Sequence, residues 1–138
     1  MYEPTNAEVT IAPSGPYNTL KKFTSVLGAA VNLDDPQAIS GTNGNKIANN
    51  RGNLVLLFKN DDDTDNCIIT PHMSAAVVEA GQSISVIEPE ITVGPGEAVF
   101  VGPFSRNYEF GAGMLYFTYV LEGSLTAADV SVEPFLLR

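Results

Sequence analysis

Leu54-Val-Leu-Leu-Phe-Lys59, then Asn60-Asp-Asp-Asp-Thr-Asp-Asn66, then Cys67-Ile-Ile-Thr70 closed by Pro71, is the stretch whose reading decides the fold. The first run is almost wholly apolar and rich in strand formers. It follows the turn cluster Asn49-Asn-Arg-Gly-Asn53 and suits a central strand covered on both faces. The acidic stretch reads as a polar turn and the next run as a second short strand. Together they are expected to form a hairpin with the acidic loop at its tip.

Outward from this stretch the punctuation stays that of a β protein. Gly and Pro recur at short intervals from Pro13 to Pro134, leaving few gaps for a helix of ten residues. Ser83 to Val93 alternates in part, with Ile84, Val86, Ile91 and Val93 inward. Pro89 makes it an edge strand or two strands with a bend. Gly94-Pro-Gly96 turns the chain into Glu97-Ala-Val-Phe-Val101, which Gly102-Pro103 ends. Met114 to Leu121 is the best strand, with Phe117 facing one way and Tyr116 the other. Val130 to Leu137 is the last.

The first 50 residues are less regular. Glu8 to Ile11 and Ala29 to Leu33 read as strands and Thr19 to Leu27 as a short helix. Ile39 to Asn53 reads as a long loop. The expected architecture is an all-β, antiparallel, jelly-roll-like β-sandwich. It forms one domain over 1–138, with core strands in 51–138 and an extended arm in 1–50.

The 138 residues are enough for one core without disulfides; a chain this long buries about 68% of its unfolded surface. Cys67 is the single cysteine, so no internal disulfide exists. The N-terminus has neither the basic nor the apolar segment of a signal peptide, and no apolar run approaches a membrane span. This is compatible with folding in a cytoplasm.

Net charge is −9, and residues 61–138 hold twelve acids against two bases. Nucleic acid and anionic membranes need a basic footprint that this chain lacks.

No catalytic apparatus is legible. His72 is the lone histidine and reads as a surface-loop residue after Pro71. Cys67 and Ser74 are near it in sequence but in no nucleophile context. One histidine and one cysteine cannot build a Cys/His zinc site. The metal candidate is Asp61, Asp63 and Asp65, as calcium ligands, although EF-hand spacing fails: positions six and twelve hold Asn66 and His72. Glu88 and Glu90 read as surface acids rather than a glycosidase pair. Neither Gly94-Pro-Gly96 nor Gly41-Thr-Asn-Gly44 has the sequel of a phosphate loop. No cofactor is expected. Tyr17, Phe23, Tyr108, Tyr116 and Tyr119 are the candidates for an interface.

One pattern is more than generic. Asn43-Gly-Asn-Lys46 leads through Asn49–Asn53 into Leu54–Asn60. Ile91-Thr-Val-Gly-Pro-Gly-Glu-Ala-Val-Phe-Val-Gly-Pro-Phe104 follows, with Tyr108 and Met114 to Tyr119 after it. Over roughly residues 43–121 this resembles small phage-encoded β-sandwich virion proteins, a group with capsid decoration (cement) proteins among its relatives. The resemblance implies a homo-oligomer, dimer or trimer, made in the host cytoplasm. It would sit on the capsid surface of a bacteriophage virion and staple neighbouring major capsid protein subunits through its arms. The alternative is a carbohydrate- or ligand-binding module of a tail or fibre, with calcium at Asp61 to Asp65. An enzyme would need Glu88 or Glu90 in a pocket with a raised pKa.

Overall fold

The computed structural model describes residues 2–12, 18–20, 36–49, 52–74, 77–79, 82–84 and 88–137. Its strands are β1 (Val9–Thr10), β2 (Asn18–Leu20), β3 (Gln37–Ala38), β4 (Asn45–Ala48), β5 (Leu54–Asn60), β6 (Cys67–Pro71), β7 (Val77–Glu79), β8 (Gln82–Ile84), β9 (Ile91–Val93), β10 (Ala98–Val101), β11 (Met114–Leu121) and β12 (Val130–Leu137). One sheet runs β1-β4-β11-β6-β9. The other runs β10-β5-β12-β2, with β3 also on β12, and β7 and β8 form a separate hairpin. The two main sheets pack face to face as a β-sandwich. All pairings are antiparallel except β1 with β4 and β2 with β12. Among the described residues no helix is long and apolar enough to cross a membrane.

The expected hairpin does not form. β5 pairs with β10 and β12, whereas β6 pairs with β11 and β9. The acidic stretch therefore carries the chain from one sheet to the other. Two adjacent apolar strands look alike in sequence whether they share a ladder or face each other across a core. Gly94-Pro-Gly96 makes the same kind of crossing, from β9 to β10.

Period-2 alternation sorts the core. Leu54, Leu56 and Phe58 of β5, Ile69 of β6, Leu115 and Phe117 of β11, and Val130 and Val132 of β12 meet between the sheets. Val55, Leu57 and Phe135 form a second cluster on the outer face of β5 and β12, so β5 is covered on both faces as its sequence implies. Phe104 plugs the sandwich end, its ring 5.5 Å from Phe117 and 5.9 Å from Tyr108.

The stretch read as a loop over Ile39 to Asn53 contains β4, and Ile11, Ile39 and Ile47 are core residues. Polar composition hid it. Three buried asparagines hold strand ends by side-chain hydrogen bonds. Asn45 Nδ2 donates to Val9 O (2.9 Å), and its Oδ1 accepts from Ser40 N–H (3.0 Å) and Tyr119 O–H (2.8 Å). Asn60 Nδ2 donates to Asp65 O (2.9 Å) and Val93 O (3.1 Å), and its Oδ1 accepts from Asp62 N–H (3.0 Å). Asn49 Nδ2 donates to Phe104 O (3.1 Å). Of the expected helix over 19–27, residues 19 and 20 lie in β2 and the rest lies outside the described residues, as does the expected strand Ala29 to Leu33.

Pro134 sits inside β12, where a proline is unusual. Leu137 N–H donates to Asn53 O and Asp61 N–H to Asp129 O. By alternation, Pro134 opposite Leu56 belongs to a non-hydrogen-bonded pair, and its nitrogen faces away from β5. On that side β3 covers 131–132 and β2 covers 135–137. The missing donor falls in the gap between them.

Candidate functional site

His72 follows β6. Continuing the alternation of Cys67, Ile69 and Pro71 inward places Ile68, Thr70 and His72 on the outer face. The register sets His72 opposite Tyr116 and diagonal to Thr118. The surface-loop expectation is overturned: His72 is only 8% exposed. Its Nδ1 lies 2.9 Å from Glu88 Oε2 and its Nε2 lies 2.7 Å from Thr118 Oγ1. The neutral ring makes both bonds by donating from Nδ1 and accepting at Nε2; the charged ring makes them by donating from both.

Tyr2 lies flat on the imidazole, ring centroids 3.9 Å apart and planes 9° from parallel. Phe110 meets Tyr2 edge-on at 6.1 Å and Tyr116 at 5.1 Å. The Tyr2 hydroxyl donates to Glu8 Oε2, which also accepts Thr5 N–H at 2.9 Å. Burial alone would push the Glu8 carboxyl up, but the hydrogen bonds from Tyr2 and Thr5 outweigh it and hold it at about 2. The Tyr2 phenol is pushed well above its ordinary value by burial, with the Glu8 hydrogen bond and charge adding to it. Residues 2–8 are thus strapped across the outer face of the first sheet, next to Val9 and Thr10 on β4.

Carboxylate, imidazole and hydroxyl in the order Glu88, His72, Thr118 form a relay that in other settings activates a nucleophile. Acyl transfer would also need backbone N–H groups free to receive an oxyanion. Here the three that follow β6 are engaged: His72 N–H on Tyr116 O (2.9 Å), Met73 N–H on Glu88 Oε2 (2.6 Å) and Ser74 N–H on Asn107 O (2.7 Å). Tyr2 covers a face of the ring. Among the described residues the arrangement holds the N-terminal strap, a clasp of aromatic stacking and carboxylate hydrogen bonds.

The acidic loop uses its own carboxylates. Asp62 Oδ2 accepts the N–H of Thr64 (3.0 Å) and of Asp65 (2.7 Å), and these bonds keep its carboxyl below the usual range. Asp65 Oδ2 accepts N–H and O–H from Ser124, both at 3.0 Å. Asp61 lies 3.4 Å from Lys59 and Asp63 is exposed. Among the described residues no three His, Cys, Asp or Glu side chains come together to hold a metal ion. Glu90 is exposed, while Glu88 is the half-buried partner of His72.

Of the interface candidates, Tyr17 and Phe23 lie outside the described residues. Tyr108 packs on Phe104 at the sandwich end, and Tyr116 belongs to the clasp. Tyr119 points inward, its ring 6.1 Å from Phe58 and its hydroxyl on Asn45. Sequence reasoning missed Tyr2, Glu8 and Thr118. Strand alternation through Pro71 would have put His72 on the same face as Ile68 and Thr70, but its place beside Thr118 follows from the β6–β11 register; nothing in the sequence signals Tyr2. A depression at the sandwich end, lined by Ile91, Val101, Pro103, Phe104 and Tyr108 among others, holds about 170 Å³. Small-molecule sites run to roughly 300–1,000 Å³.

Comparison with protein-family models, with curated proteins and with solved structures finds no match to this chain.

Proposed function

We propose that the protein is a structural component of a bacteriophage virion, a capsid decoration protein that binds the outer shell and staples neighbouring major capsid protein subunits. The observation that carries this reading is the strand order. Taken in chain order, β3, β4, β5, β6, β9, β10, β11 and β12 are eight strands. The first, eighth, third and sixth adjoin in one sheet, and the second, seventh, fourth and fifth in the other. We read this as a jelly roll, an architecture common among viral capsid and lectin domains.

The filled interior supports a surface role. Phe58, Phe104 and Phe117 occupy the space between the sheets. The elements that resemble phage virion proteins are scaffold parts: the Gly94-Pro-Gly96 crossing, the Gly102-Pro103-Phe104 plug, and the pins Asn45, Asn49 and Asn60. Stapling needs no reactive group. A contact spread over two capsid subunits adds binding energy that is lost only when the shell opens.

The test is co-elution of the purified protein with capsids emptied of it, read by light scattering. Binding in a fixed stoichiometry that raises the capsid's resistance to heat is the expected result. A protein that ignores capsids and binds immobilised glycans instead would replace this reading with the tail- or fibre-module alternative.

A further inference from the structure

We infer that β10 is a self-complementary sheet edge through which two copies of this chain pair about a two-fold axis. β10 closes one end of the second sheet, and among the described residues no strand pairs with its other side. Asn60 N–H donates to Glu97 O. With Val99 opposite Phe58 and Val101 opposite Leu56, alternation directs the backbone groups of Val99 and Val101 to β5. Ala98 and Phe100 therefore turn their N–H and C=O groups outward along the open edge.

Edge strands in soluble proteins are ordinarily blunted by lysine, proline or a bulge. Ala98-Val-Phe-Val101 has none of these. Glu97, the nearest charge along the chain, folds back to accept Gly94 N–H at 2.9 Å, and Lys59 opposite Ala98 lies on the covered side of the strand. Both outward-turned residues have exposed side chains on the outer sheet face, Phe100 at 45%.

The occupant that fits is a second copy, because this edge complements itself. An antiparallel pairing centred on Val99 sets Ala98 opposite the other copy's Phe100, and Phe100 opposite the other Ala98. Each of these two pairs exchanges two backbone hydrogen bonds. Each large ring lies over a methyl group rather than against another ring. The two half-buried Val99 side chains meet on the inner side. Four residues a side fall short of a standard interface, so the dimer is a weak one. This deepens the homo-oligomer part of the proposed function. It can fail while capsid binding stands, because its assay uses the protein alone.

The experiment is sedimentation equilibrium from about 10 μM to about 1 mM, the range of a weak interface, with amide hydrogen exchange by NMR at both ends. The expected result is a mass that rises toward twice the chain's, with exchange at the Ala98 and Phe100 amides slowing in step. Two variants keep the test sharp. Ala98→Glu puts a charge against the partner's Phe100 while gaining Lys59 as a cross-strand neighbour in its own sheet. Phe100→Pro removes an outward donor and the ring, which also meets Phe135 edge-on at 6.0 Å in its own chain. Each is expected to weaken the dimer about 10-fold, with the thermal transition of the monomer retained in Ala98→Glu and lowered in Phe100→Pro by the loss of the Phe135 contact. A chain that stays monomeric with both amides exchanging freely overturns the inference. So does a dimer whose two amides remain unprotected, or one that Ala98→Glu leaves intact.

Discussion

Gly44→Ala tests the junction of β1, β4 and β11 more sharply than any core truncation. Gly44 has φ +75°, and a Cβ there would sit 2.5 Å from Phe117 O. Gly96 has φ +71° with nothing within 4 Å of its would-be Cβ. Both alanines bear the left-handed backbone cost of about 1–2 kcal/mol. Only Gly44→Ala must also push its backbone off Phe117 O. That movement strains the bonds from Val9 N–H to Gly44 O (3.0 Å) and from Gly44 N–H to Ser40 O (2.9 Å). Losing both costs about 2 kcal/mol more, at ~1 kcal/mol each. Gly44→Ala should therefore lose about 3–4 kcal/mol and Gly96→Ala about 1–2 kcal/mol. For a chain of this length each kcal/mol is about 3–4 °C in Tm. Urea unfolding followed by circular dichroism, with equal m-values, measures the pair. Equal losses, or a smaller loss at Gly44, would refute the close approach of loop and strand.

Three further outcomes follow from buried polar groups. Asn60→Ala removes a side chain that ties the acidic loop to β9 and should cost roughly 2–4 kcal/mol by urea unfolding, because Val93 O stays buried without its donor and Asp65 O half-buried. Glu8 is held at about 2 against an ordinary value of 4.5, so its contribution is complete above pH 4.5 and is lost as pH falls through 2; Glu8→Gln should flatten the stability-against-pH curve between those limits. Burial pushes the Cys67 thiol up to about 11 from 9. Its contribution is complete below pH 9 and lost as pH rises through 11, and a disulfide reagent at pH 8 should label it no faster than the chain unfolds.

The sandwich was legible because its signals are local. The five-residue apolar run Leu54–Phe58, the alternation through Phe117 and the prolines at strand ends each mark a strand without reference to its neighbours. Pairing was not legible: whether Cys67–Pro71 lies beside β5 or across from it depends on contacts with β11 and β9 far along the chain. β4 was missed because Asn45 and Asn49 read as loop residues, yet each is buried with its amide N–H donated to a distant backbone carbonyl. The clasp was half legible. His72 stands out as the lone histidine, but its partners Glu88 and Thr118 are 16 and 46 residues away. Tyr2 arrives by a strap whose path no periodicity encodes.

The most direct test of the proposed structural-virion role is a cryo-electron microscopy reconstruction of phage particles assembled in the presence of this chain. The account predicts density for the sandwich on the outer shell at local symmetry points, each copy touching at least two capsid subunits. Density confined to the tail, or a particle complete without the chain, would contradict it.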